Sequence, residues 1–568
     1  MNNKHNITNY FFVTILFYLA IAKNLVLPTP GGIGLYLSPN IIGWVFISLM
    51  LSFGLWQISN TKKLIISHVH IKMVVGFLLL CIPAFYTHSN LYFAFPRILV
   101  LATGVAFLFA LSQFRFSITQ KHWLLFVLLS GIAIEAIVGL IQYYILLNFD
   151  IKIVGYTPVS NVPYGTSTQP NVMASFMATG IGLSLYLLKS SAHKTINHSK
   201  LYYTFIWFCL LSTSLLLVLL QSKTGYLSFL ITSLLFLPLL IKNKRHNKGI
   251  FISLLLGLCI GLFSLNSFEN SEQKSNPAED RHRSTMYHVG FDMISEKPLL
   301  GFGYGNFEKN YREAYIRSMN SGEITKPPQN ILIHPHNEIL LWVIEGGIVA
   351  LLGIAFIVYS YICNIKLSFI REQLPVVALI IPISIHTQLE YPFYVSICSY
   401  IYFIIFFWLI IDSYPPKKEL SIRNIIPVRV VSIIIPLTVI PFMLTTLHTS
   451  TLMEKYKQSD FSRAELINSI INKTSWNEYI TITLHTESLK IGFKLKDINK
   501  LKNYVYWGRE FVKQRPREAL YQNMLLAIDT LERVNQPIDM IIKREVTTDA
   551  IRLYPENSNF LRKKESLQ

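Results

Sequence analysis

The sequence predicts an all-α, polytopic membrane protein, and three observations predict it. Hydrophobic residues make up 52% of the 568 positions and charged residues 15%, whereas a soluble chain carries about a quarter charged. Mean hydropathy is +0.40, and the apolar residues fall into blocks of roughly 17 to 25, long enough to cross a hydrocarbon core about 30 Å thick. Lys and Arg recur in every second segment between those blocks.

About thirteen transmembrane helices are expected, near 10–28, 41–58, 73–87, 95–112, 122–147, 172–188, 201–221, 225–241, 249–265, 338–363, 373–386, 397–413 and 425–447. Residues 1–447 form the membrane domain, with a large loop over 266–337, and residues 448–568 lie outside the membrane. The first span is short and ends in Ala20-Ile-Ala22, which resembles a signal-peptidase site. Twelve spans follow it, so a retained span is expected.

A formal net charge of +19 could indicate a nucleic-acid partner, but its distribution points elsewhere. Lys62, Lys63 and Lys72 form one cluster and Arg115 with Lys121 the next. Lys189, Lys194 and Lys200, then Lys242, Lys244, Arg245 and Lys248, then Lys366 with Arg371, and finally Lys417, Lys418 and Arg423 continue the series. All fall on one side when spans alternate, and the positive-inside rule makes that side cytoplasmic. The charge orients the chain among membrane lipids, N-terminus in and C-terminus out, and no nucleic-acid partner is expected.

The five cysteines lie in or beside spans, with no zinc-type spacing, and no disulfide framework is expected in the outer segments. In 448–568, Trp507, Phe511, Leu520, Met524, Ala527 and Leu531 recur at helical spacing. Arg515-Pro-Arg-Glu-Ala and Leu553-Tyr-Pro-Glu-Asn resemble elements of tetratricopeptide helix pairs, but with no clear repeat a few packed helices are expected.

This topology places four polar motifs on the outer face: Tyr164-Gly-Thr-Ser-Thr-Gln-Pro-Asn171, Ser222-Lys-Thr-Gly225, the loop ending in His334-Pro-His-Asn-Glu338, and His386-Thr-Gln-Leu-Glu-Tyr-Pro-Phe-Tyr394. Charge placement set the topology without reference to these motifs, yet it gathers them on one side. Titratable groups at the mouth of a span are costly to keep and mark function more often than not.

Pro335 biases His334 toward an extended conformation, and side chains two apart in extended chain point opposite ways. One histidine is therefore expected to face a site. Asn337 suits the N-cap of the following helix, whose positive end would keep His336 neutral, as a general base requires. His-x-His with Glu338 as a third ligand is a distant alternative, and no metal is expected.

Lys223 is a basic residue on the side where topology disfavours one, so it binds an anion or snorkels to headgroups. Arg281 and Arg283 read as loop charges. Gln169, Asn171 and Tyr391 bring hydrogen-bonding groups to the surface, with capping or an aromatic belt as the ordinary explanation. Arg97 either snorkels or belongs to the site. Gly301-Phe-Gly-Tyr-Gly305 lacks the Lys-Ser/Thr of a phosphate loop and reads as a tight turn, while Gly346 and Gly347 read as points of close helix packing.

Gln-Pro-Asn at 169–171, Ser-x-Thr-Gly at 222–225, the stretch from Arg283 to Gly305, His-Pro-His-Asn-Glu at 334–338 and Glu-Tyr-Pro at 390–392 together resemble the Wzy-type O-antigen ligase/polymerase superfamily. Within it they are most similar to the bacterial pilin-glycosylating O-oligosaccharyltransferases. The resemblance implies transfer of a glycan from an undecaprenyl-diphosphate carrier to a hydroxyl, in a bacterial inner membrane, at a site facing the periplasm. It implies catalytic importance for His336, Gln169 and Tyr391. Lys223, Arg283, Asn171, His334 and Glu338 would bind substrate, and no cofactor is implied. Arginine is usual where this chain has Lys223, and lysine lacks bidentate phosphate geometry, so diphosphate binding would rest more on Arg283.

Three functions follow as expectations. The first is transfer to Ser or Thr of pilin or another periplasmic protein. The second keeps the chemistry with lipid A–core or a growing glycan as acceptor. The third is a transporter without chemistry; transporters place substrate groups near the bilayer midplane, whereas these motifs lie at one face.

Overall fold

A computed structural model describes residues 3–158, 161–189, 200–267, 277–324, 331–363, 370–412 and 417–565. Lys194 and Lys366 lie outside the described residues, as do the side chains of Arg281, Arg371 and Lys417.

The chain is an all-α polytopic membrane protein. Its first nine helices are α1 (Asn3–Ala20), α2 (Ser38–Thr61), α3 (His68–Cys81), α4 (Leu91–Ser112), α5 (Ile118–Ile141), α6 (Pro170–Lys189), α7 (Lys200–Leu219), α8 (Lys223–Lys242) and α9 (Asn247–Ser267). Next come α10 (Pro277–Glu296) and α11 (Phe307–Asn320) in the large loop, then α12 (Glu338–Ile362), α13 (Ile370–Thr387), the single turn α14 (Pro392–Val395), α15 (Ile397–Asp412) and α16 (Ile426–Gln458). Among the described residues, eleven helices are long and apolar enough to cross a membrane, and the shorter Gln373–Thr387 and Ile397–Asp412 complete the thirteen expected spans.

α6 is the central helix, buried without interruption from Val172 to Leu185. Its small residues Ala174, Ser175, Ala178, Gly180, Gly182 and Ser184 let α5, α7, α8 and α13 approach closely. α16 is the opposite case, packed on α2 and largely open on its other side.

On the face of the basic loops, β1 (Lys63–Ser67) pairs antiparallel with β2 (Lys417–Ser421). Glu419 there accepts from Lys63 at 2.8 Å and meets Arg115 at 2.7 Å. At five residues each, these strands are too short to be read from pattern alone. The four polar motifs lie on the opposite face, called the site face below.

α12 is broken at Gly347, whose φ of 61° and ψ of −153° are not helical. The stretch from Pro298 to Gly303 fills the break: Phe302 N–H donates to the Ile344 carbonyl at 2.9 Å, Gly303 N–H to Glu345 at 2.8 Å, and Ile348 N–H to Pro298 at 2.9 Å. A Cβ on Gly301 would lie 2.6 Å from the Glu345 carbonyl carbon. The two glycine motifs therefore serve each other. Gly301, Gly303 and Gly305 all have positive φ, as a tight turn requires, but Gly347 opens a helix rather than packing one against another.

Beyond α16, α17 (Glu465–Asn468), α18 (Asn477–Leu495), α19 (Ile498–Val512), α20 (Glu518–Arg533), α21 (Met540–Leu553) and α22 (Ser558–Glu565) follow. Leu520, Met524, Ala527 and Leu531 lie in their core, while Trp507 and Phe511 sit at its margin. These helices rest on α11. Glu308 is held by Arg515 at 2.8 Å and Arg517 at 3.4 Å, and Arg312 donates to the Leu553 carbonyl at 2.9 Å and lies 4.0 Å over the Tyr554 ring.

Candidate active site

Pro170 starts α6, where its missing N–H costs nothing, and so holds Gln169 and Asn171 at the site face. Ser222 caps α8 by accepting from Gly225 N–H at 3.2 Å and donates to Asn171 Oδ1 at 2.7 Å. Asn337 caps α12, its side chain accepting from Leu340 N–H at 2.9 Å. It also donates to the Gln388 carbonyl at 3.0 Å, as Tyr287 of α10 does at 3.1 Å. Three helix starts and one helix end thus converge on the segment from 386 to 394.

Glu390 is the hub. Its carboxylate accepts from Gln169, from Asn171 at 2.7 Å and from Arg283 at 2.6 Å. His386 Nε2, one helical turn earlier, lies 3.7 Å away, and its Nδ1 is 2.8 Å from Ser175 Oγ. Burial alone would raise the Glu390 carboxyl, but His386, Arg283 and Asn171 outweigh it and hold it below the usual carboxylate range.

His334, His336, Glu338 and Tyr391 form the adjoining cluster. The ring centroids of His334 and His336 lie 5.1 and 4.9 Å from that of Tyr391. Both histidines therefore face one tyrosine, against the expectation that only one faces a site. The reason is His336, whose φ of 56° is left-handed rather than extended. Its N–H donates to His334 Nδ1 at 3.0 Å, so His334 carries its proton on Nε2, 3.5 Å from Glu338 Oε1.

Burial pushes the His336 imidazole down to about 4; Glu390 opposes that shift, and His334 and Arg283 add to it. Its neutrality comes chiefly from burial, where the sequence pointed to the helix end. His336 Nδ1, His334 Nε2 and Glu338 Oε1 are buried with no hydrogen-bond partner among the described residues. Unsatisfied buried polar atoms clustered this closely are what a binding site holds ready for a ligand.

Of the residues singled out in the sequence, Gln169, Asn171 and Arg283 meet at Glu390, and Tyr391 joins that set to the histidine cluster. Lys223 stands exposed beside Ser222 at the head of α8. Sequence reasoning passed over Glu390 and His386 as site residues, although their spacing of four and the acid next to Tyr391 were visible. Arg97 was left open. It pairs with Glu345, lies 4.3 Å from the Trp342 ring and 5.0 Å from the Tyr304 ring, and Glu345 also accepts from Phe307 N–H at 2.9 Å. Two opposite charges in apolar spans were the available signal.

Two family models match the chain. One, described as O-Antigen ligase, covers residues 208–355, which include Ser222, Arg283 and the histidine cluster. The other, described as Virulence factor membrane-bound polymerase, C-terminal, covers 374–565, which include His386, Glu390 and Tyr391. A Rickettsia felis protein provisionally named a polysaccharide ligase is 27% identical over 199 residues, 33% of this chain and 45% of the relative. A Rickettsia typhi protein of the same provisional name is 28% identical over 191 residues, 31% of this chain and 43% of the relative. The matched stretch thus spans less than half of each of these relatives. The two models meet at the contact between Arg283 and Glu390, and with these relatives they support the Wzy-type O-antigen ligase superfamily for this chain.

Proposed function

We propose that the chain is an O-oligosaccharyltransferase that moves a glycan from undecaprenyl diphosphate to a Ser or Thr hydroxyl of pilin or another periplasmic protein. It would do so from a bacterial inner membrane with the site facing the periplasm. The observation that carries the transferase reading is His336: a neutral imidazole whose buried Nδ1 lacks a partner, beside Tyr391 and next to the residues that hold Arg283. In this reading Nδ1 takes the acceptor hydroxyl proton as the oxygen attacks the anomeric carbon. The bond from that carbon to the diphosphate breaks, and its electron pair leaves on the lipid diphosphate. Arg283 and Lys223 meet the charge that develops there, and Gln169, Asn171 and Tyr391 orient the reactants. A single displacement inverts the anomeric centre. The diphosphate is already an activated leaving group, so the reaction requires neither nucleotide nor metal.

A second acceptor is favoured by the descriptions of the matching models, which name a ligase and a polymerase. Lipid A–core or a growing glycan would then take the place of protein. Co-expression with a lipid-linked oligosaccharide pathway and a pilin separates the two. A glycan-sized mass increase on intact pilin supports protein transfer. An unmodified pilin with an altered lipopolysaccharide profile moves the acceptor to lipid or glycan, and no change in either sinks the transferase reading.

A further inference from the structure

Glu135 lies in α5, with its side chain 4% exposed. A carboxylate in a membrane span is expensive unless fully paired, and this one is. It meets Lys23 Nζ at 2.6 Å and accepts from Thr166 N–H at 2.6 Å and from Thr166 Oγ1 at 2.8 Å. Lys23 is itself buried at 2% exposure and also donates to Asn24 Oδ1 at 2.8 Å. Gln142, two turns further on in the segment that continues α5 (Gln142–Leu147), grips the residues before Thr166. Its Oε1 accepts from Tyr164 N–H at 3.0 Å and Gly165 N–H at 2.7 Å, and its Nε2 donates to the Tyr156 and Gly165 carbonyls, each at 2.8 Å. Gly165 has a φ of 64°, and a Cβ there would overlap the Glu135 carboxylate.

Residues 164–166 are thus fixed by Glu135 of α5 and Gln142 just beyond it, and Gln169 follows three positions later. We propose that Glu135, charge-matched by Lys23, is a positioning residue for Gln169, holding the segment that presents its amide to Glu390. This rests on the transferase reading above. The geometry also says why a carboxylate is needed. Three donors converge on two oxygens, so an amide at 135 would turn one donor group toward Lys23 or Thr166. With Lys23 replaced by methionine, a glutamine at 135 can again satisfy Thr166, its Oε1 accepting from the N–H and its Nε2 donating to Oγ1.

The test compares glycan transfer per molecule of protein in the membrane for Glu135→Gln, Gln169→Ala and the two combined. A displacement near 1 Å at a reacting centre costs on the order of 100-fold, and Glu135→Gln should slow transfer by about that factor. On the Gln169→Ala background it should add less than about 3-fold, because its effect passes through Gln169. Its loss of thermal stability should persist on both backgrounds. If Glu135→Gln does not accumulate, Lys23→Met decides: transfer should fall and recover at least about 10-fold in Lys23→Met/Glu135→Gln. A wild-type rate in Glu135→Gln, its full loss on the Gln169→Ala background, or no recovery in the neutral pair would each overturn the positioning role alone. A wild-type rate in Gln169→Ala would instead overturn the site reading beneath it.

Discussion

Asn171 donates to Glu390 at 2.7 Å across 219 positions of sequence, joining the head of the central helix α6 to the loop after α13. The same carboxylate takes Gln169 and Arg283. Glu390→Ala removes one group and leaves three donors without their acceptor, one of them cationic. Breaking a buried pair from one side costs about 3–5 kcal/mol. Transfer should fall on the order of 100-fold or more, with a lowered unfolding temperature in detergent. Unchanged transfer would show that the hub is dispensable.

His336, held near 4 by burial, has an unusual consequence for pH. An ordinary histidine titrates near 6.5, so a base of that kind would lose activity through pH 7 to 6. Here the acid limb should lie near pH 4, with transfer flat between pH 6 and 7. The sign for stability follows from the same shift. Between about 4 and 6.5 the unfolded chain binds more protons at this position than the folded one, so its contribution to stability falls as pH falls through that window. A limb at 6.5 would contradict the buried, neutral imidazole.

Gly347 admits the Pro298–Gly303 segment into the break of α12. Alanine there combines a left-handed φ with overlap on the Leu299 carbonyl, and backbone strain plus overpacking should cost more than about 2 kcal/mol. Gly347→Ala should unfold at lower temperature, whereas Gly322→Ala, with open space around its Cβ, should lose much less despite a comparable φ. Equal losses would show that the close approach contributes little.

Arg97 and Glu345 are a buried pair backed by two aromatic rings. Arg97→Ala leaves an unpaired carboxylate, with an expected loss of about 3–5 kcal/mol. Arg97→Lys keeps the charge but not the planar group that stacks on Trp342, so it should recover only part of that loss. Full recovery by lysine would reduce the role of the rings to packing.

Hydropathy and the placement of Lys and Arg made the spans legible, because both operate over long stretches and tolerate local error. The site was legible as a set of motifs: Gln169, Asn171, Arg283 and Tyr391 were named, and all of them bear on Glu390 or adjoin it. The role of Glu390 was not legible, because a hub is defined by partners brought from distant helices, and its spacing of four from His386 does not reveal them. His336 was read as one of two extended neighbours, since sequence does not show a left-handed φ at a non-glycine residue. Lys23 and Glu135 stand 112 positions apart, and only the fold brings them to 2.6 Å. The break in α12 was invisible for a similar reason, because Gly346-Gly347 serves close packing and helix opening equally well in one dimension.

The central claim is that His336 takes the acceptor proton. The direct measurement is the rate of glycan transfer to an acceptor protein by His336→Asn beside the unaltered chain, with abundance in the membrane matched. Asparagine tolerates the left-handed backbone at this position, so lost transfer would not be a backbone effect. The account predicts a loss of at least about 100-fold, with thermal stability near that of the unaltered chain. Transfer within a few-fold of the unaltered rate would contradict it and remove His336 as the base.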